Sequence, residues 1–321
     1  MYVAAAAAAL LIVFLFGPEV RFVERWVEPP LPADLDSYLE QAEASVPDLR
    51  SDDGKGIVWA DPGARARTPL SLVYLHGFSA DRHEIEPLVS ELGRELGANV
   101  FFARLTGHGR DEAALGEATV EAWLDDVAEA VAVGGAIGER IVVLGTSTGA
   151  TLALWAATRD EVKDRLAALV LLSPNLGLRN RAATVLLWPW GGLIARLIEG
   201  PERCFAPKNE EQERHWTTCY PTRALQPMMA VVDRVRRLPR GAVEVPTLAL
   251  YAPGDTIVDT GEIERILPRL TAGGAEIEIL EGSGDPAQHV LAGAIMSPET
   301  TDAVRMRIRE FVRALELLPG P

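Results

Sequence analysis

Residues 145–149, Gly-Thr-Ser-Thr-Gly, place one serine between two glycines, just after the apolar run Ile141–Leu144 and just before a second apolar stretch. A serine hydroxyl is a weak nucleophile until a base takes its proton and a third group orients that base. A sharp strand-to-helix turn exposes its central side chain and drives that residue's φ positive. Glycines on either side let strand and helix approach without clashing. The spacing makes Ser147 a candidate nucleophile; the alternative is a serine that only shapes the turn.

Only two histidines follow it, His215 and His289. His215 lies in the charged stretch "EEQERHWTTC", with no strand before it, and reads as a surface residue. His289 lies in "EGSGDPAQHVLAG", directly after a strand-like run, which is where a base belongs. For the orienting acid, "LALYAPGDTIVD" offers Asp255 just past a strand and Asp259 a turn later. Asp255 is preferred, and Asp259 reads as the cap of the next helix. Asp285 is too close to His289 in the same loop. An oxyanion needs two N–H donors. The residue after the nucleophile, Thr148, supplies one, and Phe78 in "LVYLHGFSA" the other. His76 and His108 read as loop-shaping residues, and His83 has no assignable role.

These residues need a frame that brings distant loops to one edge. Strand-like runs occur at 71–75, 98–105, 140–145, 166–172, 246–252 and 275–280. Helical periodicity occupies 84–96, 119–133 and 300–318. Strand alternating with helix predicts an α/β fold, a mostly parallel sheet with helices on both faces. Ligands then bind beyond the carboxyl ends of the strands. Between Pro174 and about Arg240 no strand is evident, which predicts a helical cap inserted over that edge, about 175–240.

Forty-six acidic against 31 basic side chains give a net charge of −15, which repels polyanions and argues against a nucleic-acid partner. Two cysteines, with no CxxC or HExxH, suggest neither a disulfide framework nor a metal site. Whether Cys204 and Cys219 are bridged is left open by their spacing. From Met1 to Pro18 the chain carries no charged side chain. Eighteen helical residues span about 27 Å, close to the roughly 30 Å of a bilayer core. The expectation is therefore a single N-terminal membrane anchor over 1–18, a linker over 19–37 and a catalytic domain over 38–321. The side of the membrane is open: Arg21 and Arg25 favour a cytoplasmic body, whereas paired cysteines would suit an oxidising compartment.

"LVYLHGFSA", "RLTGHGRDE", "LGTSTGA", "YAPGDTIVD" and the loop around His289 resemble the α/β-hydrolase superfamily, in the branch of monoglyceride lipases, bacterial carboxylesterases and serine-aminopeptidase-like hydrolases. The resemblance covers roughly 55–318 and implies a Ser147–Asp255–His289 triad, oxyanion donors at Phe78 and Thr148, and an acyl-enzyme intermediate. It implies no metal or organic cofactor, and a small or lipid-like ester substrate. "GTSTG" departs from the commoner form with Met or Gln after the serine. Apolar cap residues, Trp188 and Trp190 foremost, are candidates for a substrate pocket. An acyltransferase, a peptidase or a non-hydrolytic binding protein on the same frame are the alternatives.

Overall fold

The computed structural model describes Tyr2 and residues 11–317. Seven strands form one sheet in the order β1-β3-β2-β4-β5-β8-β9: β1 Gly56–Val58, β2 Thr68–Leu75, β3 Asn99–Phe102, β4 Gly138–Thr146, β5 Leu166–Leu172, β8 Thr247–Tyr251 and β9 Glu276–Ile279. All adjacent pairs are parallel except β1 with β3. β1 went unread in the sequence because it is three residues long.

The sheet's two faces follow the period of two along each strand. On β2, Val73 and Leu75 join the core shared with helices Val120–Ile137, Thr148–Ala156 and Leu225–Arg236. Leu70, Leu72 and Tyr74 join the opposite core, shared with helices Leu88–Leu96 and Pro298–Ala314. All seven residues of β5 are buried, as a central strand covered on both faces requires. Helix Val120–Ile137 starts where the sequence placed it, with Thr119 Oγ1 accepting the Ala122 N–H. Pro87 precedes the 88–96 helix and delays it beyond the expected start, leaving a short 3₁₀ turn at Arg82–Glu84.

Between β5 and β8 the chain forms a 3₁₀ stretch (Arg181–Leu187), helices Gly191–Glu199, Glu210–His215 and Leu225–Arg236, and a hairpin. The hairpin, β6 Glu202–Cys204 with β7 Cys219–Pro221, was not expected. Its strands have three residues each and those of β6 are exposed, so they carry no apolar signal. Cys204 and Cys219 are direct cross-strand partners and form a disulfide. Met228 and Met229 are buried in the main core.

The expected N-terminal anchor is not found. Among the described residues no helix is long and apolar enough to cross a membrane. Helix covers residues 11–15 and ends in a turn at Phe16 and Gly17; Met1 and residues 3–10 of the expected anchor lie outside the described residues. Gly17 and Pro18 supply the physical reason for the stop. Beyond Pro18 the chain has no regular structure up to residue 34 and lies along the body as a strap. Phe22 meets Trp155 edge-on and Trp26 meets it at a tilt, with ring centroids 6.1 and 5.6 Å away. Trp26 Nε1 donates to Glu28, and Glu28 pairs with Arg165.

Candidate active site

Ser147 sits between β4 and helix Thr148–Ala156 with φ 51° and ψ −111°, a backbone state that non-glycine residues adopt only where the surroundings impose it. Here the imposition is visible on both sides. The Ser147 N–H donates to Leu172 O at the end of β5 (2.9 Å), and Ser147 O accepts from Asn175 N and Thr151 N (3.2 Å each). A Cβ on Gly149 would lie 2.0 Å from Leu75 O, and one on Gly145 2.6 Å from Ala150 N. Only glycine lets the helix start this close to the ends of β2 and β4. Ser147 is 6 % exposed.

Asp255 follows β8 in a tight turn, its Oδ1 accepting the N–H groups of Ile257 and Val258 (2.7 and 2.9 Å). Its Oδ2 faces His289 Nδ1 at 2.7 Å, and the carboxylate is fully buried. With Oδ1 committed to the backbone, Oδ2 is left for the imidazole, which holds the ring so that Nε2 is the free nitrogen. Burial works against a charged His289, but the hydrogen bond and charge of Asp255, helped by Glu84 and Asp285, outweigh it and raise its pKa. Asp285, set aside as an acid, holds the base by its backbone: its Oδ2 accepts the N–H groups of His289 and Val290, each at 3.0 Å. Asp259 caps helix Thr260–Leu270 through Gly261 N. Ser173, with φ 44°, follows Leu172 and donates its hydroxyl to His289 O at 2.7 Å. Through Leu172 and Ser173 the end of β5 touches both Ser147 and His289, and so brings the two loops together. Among the described residues the Ser147 hydroxyl makes no hydrogen bond within the protein; such contacts commonly tighten only when substrate is bound.

Phe78 lies in the loop after β2. Its ring meets His108, Trp123 and Tyr220 edge-on at 6.0, 6.4 and 5.1 Å. Tyr220 belongs to β7, so the inserted hairpin rests on this loop. Both histidines of the region act as backbone staples: His76 Nε2 accepts from Leu105 N (3.0 Å) and His108 Nε2 from Ser79 N (3.1 Å). A nitrogen that accepts must be unprotonated. Burial keeps both rings neutral, lowering His76 to about 4 and His108 well below its ordinary value.

Glu84 was not singled out in the sequence. It is buried beneath the same loop, accepting from Gly77 N and Tyr74 OH at 2.8 Å each. Tyr74 OH in turn meets Thr146 Oγ1 at 2.9 Å, so one buried network joins the Phe78 loop to the residue before Ser147. Burial pushes the Glu84 carboxyl up to about 7. No local spacing announces such a residue, since its partners are the hydroxyl of Tyr74 on β2 and the backbone N–H of Gly77 just after that strand.

Trp190 Nε1 donates to Val13 O (3.0 Å), its N–H donates to Pro18 O (2.8 Å), and Trp188 is 54 % exposed. A groove of about 880 Å³ between residues 18–23, the start of helix Val120–Ile137 and the insertion includes Trp190 but none of Ser147, Asp255 or His289. His215, expected at the surface, is only 4 % exposed and faces Asp53 and Asp81.

The sequence profile of the alpha/beta hydrolase family matches residues 72–299, from β2 to the start of the last helix. The chain belongs to that family. No curated relative matches it by sequence. Among solved structures, a metagenome-derived lipolytic enzyme superposes with a TM-score of 0.65 at 20% identity, covering 83% of this chain and 99% of the other. The monoacylglycerol lipase of Paleococcus ferrophilus gives 0.60 at 15% identity, covering 81% and 98%. A soluble variant of the monoglyceride lipase of Saccharomyces cerevisiae, solved with a substrate analogue, gives 0.60 at 13%, covering 83% and 92%. At such identities the likeness is one of fold. The alpha/beta hydrolase frame recurs over four-fifths of the chain.

Proposed function

We propose that this alpha/beta hydrolase cleaves carboxylic esters through an acyl-enzyme on Ser147. The observation that carries the reading is the strained Ser147 at the mouth of β4 together with the buried Asp255–His289 pair, with Ser147 and His289 both tied to the end of β5 through Leu172 and Ser173. His289 Nε2 takes the Ser147 proton as Oγ attacks the ester carbonyl. Asp255 stabilises the imidazolium that forms, and the developing oxyanion is met by the N–H groups of Phe78 and Thr148. The protonated imidazole then protonates the departing alcohol. A water deprotonated by the same nitrogen attacks the acyl carbon, and collapse of that second tetrahedral intermediate returns Ser147. The lipolytic enzymes that share the fold favour an aliphatic ester over a charged amide, and so does the apolar setting of Phe78 and Tyr220 beside the site.

The test is a p-nitrophenyl ester series from acetate upward, with wild type and Ser147→Ala in parallel. Turnover should appear in the wild type and fall by several orders of magnitude in the variant. Wild-type turnover that survives the substitution would sink the reading.

A further inference from the structure

Four side chains that the ester chemistry does not use converge at one point beside the Phe78 loop. Asp53 precedes β1, Asp81 and His83 follow Phe78 in the loop after β2, and His215 ends the inserted helix Glu210–His215. One ligand atom from each lies within 4.8 Å of all the others. His215 Nδ1 is 2.8 Å from Asp53 Oδ1 and 3.4 Å from Asp81 Oδ2. His83 Nδ1 is 3.6 Å from Asp53 Oδ1 and 3.0 Å from Asp81 Oδ1. Metal–ligand bonds of about 2.0–2.1 Å in a tetrahedron imply ligand–ligand edges of roughly 3.3–3.4 Å. Three of the separations, 2.8, 3.4 and 3.6 Å, belong to the single set Asp53 Oδ1, His83 Nδ1, His215 Nδ1 and Asp81 Oδ2 and bracket that value; the 3.0 Å contact is to the other Asp81 oxygen.

A second, independent observation points the same way. Asp81 is fully buried, and its Oδ2 has no hydrogen-bond partner. Its other oxygen accepts the His83 N–H at 2.7 Å, which leaves Oδ2 aimed into the cluster. Asp53 is divided in the same manner: Oδ2 takes the Arg50 guanidinium, and Oδ1 faces both imidazoles. On the far side of His215, Nε2 lies 3.7 Å from Glu211 Oε2, the carboxylate behind the ring that ligating histidines commonly have.

We propose that Asp53, Asp81, His83 and His215 form a divalent-metal site, with zinc as the ion that this donor set fits best. Two imidazole nitrogens and two carboxylate oxygens in a near-tetrahedral cage suit Zn²⁺. Calcium and magnesium take more ligands, all of them oxygen. The two imidazole rings stack at 3.9 Å with 25° between their planes.

All four positions are taken by protein, so the ion is structural and leaves no open place for substrate. Its three contributing segments say what it does. It ties the inserted helix, and the hairpin closed by Cys204–Cys219, to the loop carrying Phe78, beside the existing bond from Thr217 N to Ser79 O (2.7 Å). The sequence shows no such site because the ligands at 53, 81, 83 and 215 come from three segments with no motif spacing. The readouts below do not depend on ester turnover, so this inference can fail while the proposed activity stands.

The experiment begins with chelator-stripped full-length protein, titrated with Zn²⁺ and separately with Co²⁺. The expected result is one equivalent bound per chain by native mass spectrometry, with Tm raised by several degrees and the rise reversed by EDTA. The Co²⁺ form should show the intense visible bands of a tetrahedral ion, without thiolate charge transfer. His83→Ala and His215→Ala should each lose the stoichiometric ion while keeping the far-UV circular dichroism of the fold. Stripped wild type that takes up no stoichiometric zinc, with Tm indifferent to zinc and EDTA, would overturn the proposal whether or not the variants fold. Uptake that both histidine variants retain would overturn it equally.

Discussion

Asp255 and Asp259 lie four residues apart after the same strand, and their hydrogen bonds separate their roles. Asp255 Oδ2 holds His289 at 2.7 Å, while Asp259 accepts from Gly261 at the start of a helix. Asp255→Asn should lower kcat by about 10⁴-fold, because the amide favours the wrong imidazole tautomer. Asp259→Asn should cost less than tenfold, since asparagine caps helices as well as aspartate does. The reverse ranking in p-nitrophenyl acetate assays would mean that the acid is misassigned. In the proposed mechanism His289 also fixes the pH profile. As a base it must be neutral, so activity should rise with pH through its folded-state pKa. Asp255 and the neighbouring carboxylates raise that pKa above 6.5, so the acid limb of kcat/KM should have its midpoint above pH 6.5. A midpoint below 6.5 would contradict the electrostatics described. The places of Ser147, Asp255 and His289 in loops beyond strand ends were legible from the strand-like runs before them, whose strands end at Thr146, Tyr251 and Ile279. Glu84 was not, because its partners are a tyrosine hydroxyl and a backbone N–H that form no motif, nor was the Asp81 cluster, whose members arrive from three separate segments.

At the scale of elements, the junction of β4 with helix Thr148–Ala156 is held by contact with the end of β2. A Cβ at Gly149 would fall 2.0 Å from Leu75 O and 2.6 Å from His76 O, both backbone atoms of the strand leading to Phe78. Gly149→Ala must therefore push the elbow and the Phe78 loop apart. It should destabilise the protein by about 3 kcal/mol or more and, by misplacing the nucleophile relative to its N–H donors, reduce activity by about 10²-fold beyond any loss of folded protein. Urea denaturation and active-site titration of the same sample check the two parts separately; a variant with wild-type midpoint and rate would show that the junction is looser than its contacts indicate. Each of the six strand-like runs holds a strand, and in the central strands β2, β4, β5 and β8 burial on both faces writes itself as continuous hydrophobicity. β1 and the β6–β7 hairpin escaped because three exposed or half-buried residues carry no period, and cross-strand pairing and the disulfide define them instead.

At the scale of the whole molecule, the N-terminal region shows where composition misleads. The uncharged run over 1–18 suggested an anchor, but among the described residues its helix stops at residue 15 and the following strap lies on the body. Phe22 and Trp26 cover Trp155, Glu28 pairs with Arg165, and Glu24 pairs with Arg234. Removing residues 1–30 should therefore weaken the body by uncovering Trp155. Trp26→Ala alone should cost about 2 kcal/mol, less than a fully buried aromatic because Trp26 is only partly covered. Thermal unfolding of the truncated and substituted proteins tests this, and unchanged Tm values in both would show the strap to be a passive passenger. Net charge and the lack of basic runs spoke only to what the surface repels.

The central claim is that Ser147 is the residue acylated during turnover. Its most direct measurement is peptide mapping of the full-length protein after reaction with a fluorophosphonate at stoichiometric concentration. The account predicts a single adduct on Ser147, formed with loss of esterase activity in step with labelling and abolished in His289→Ala. An adduct on another serine, or full activity remaining once Ser147 is labelled, would contradict it.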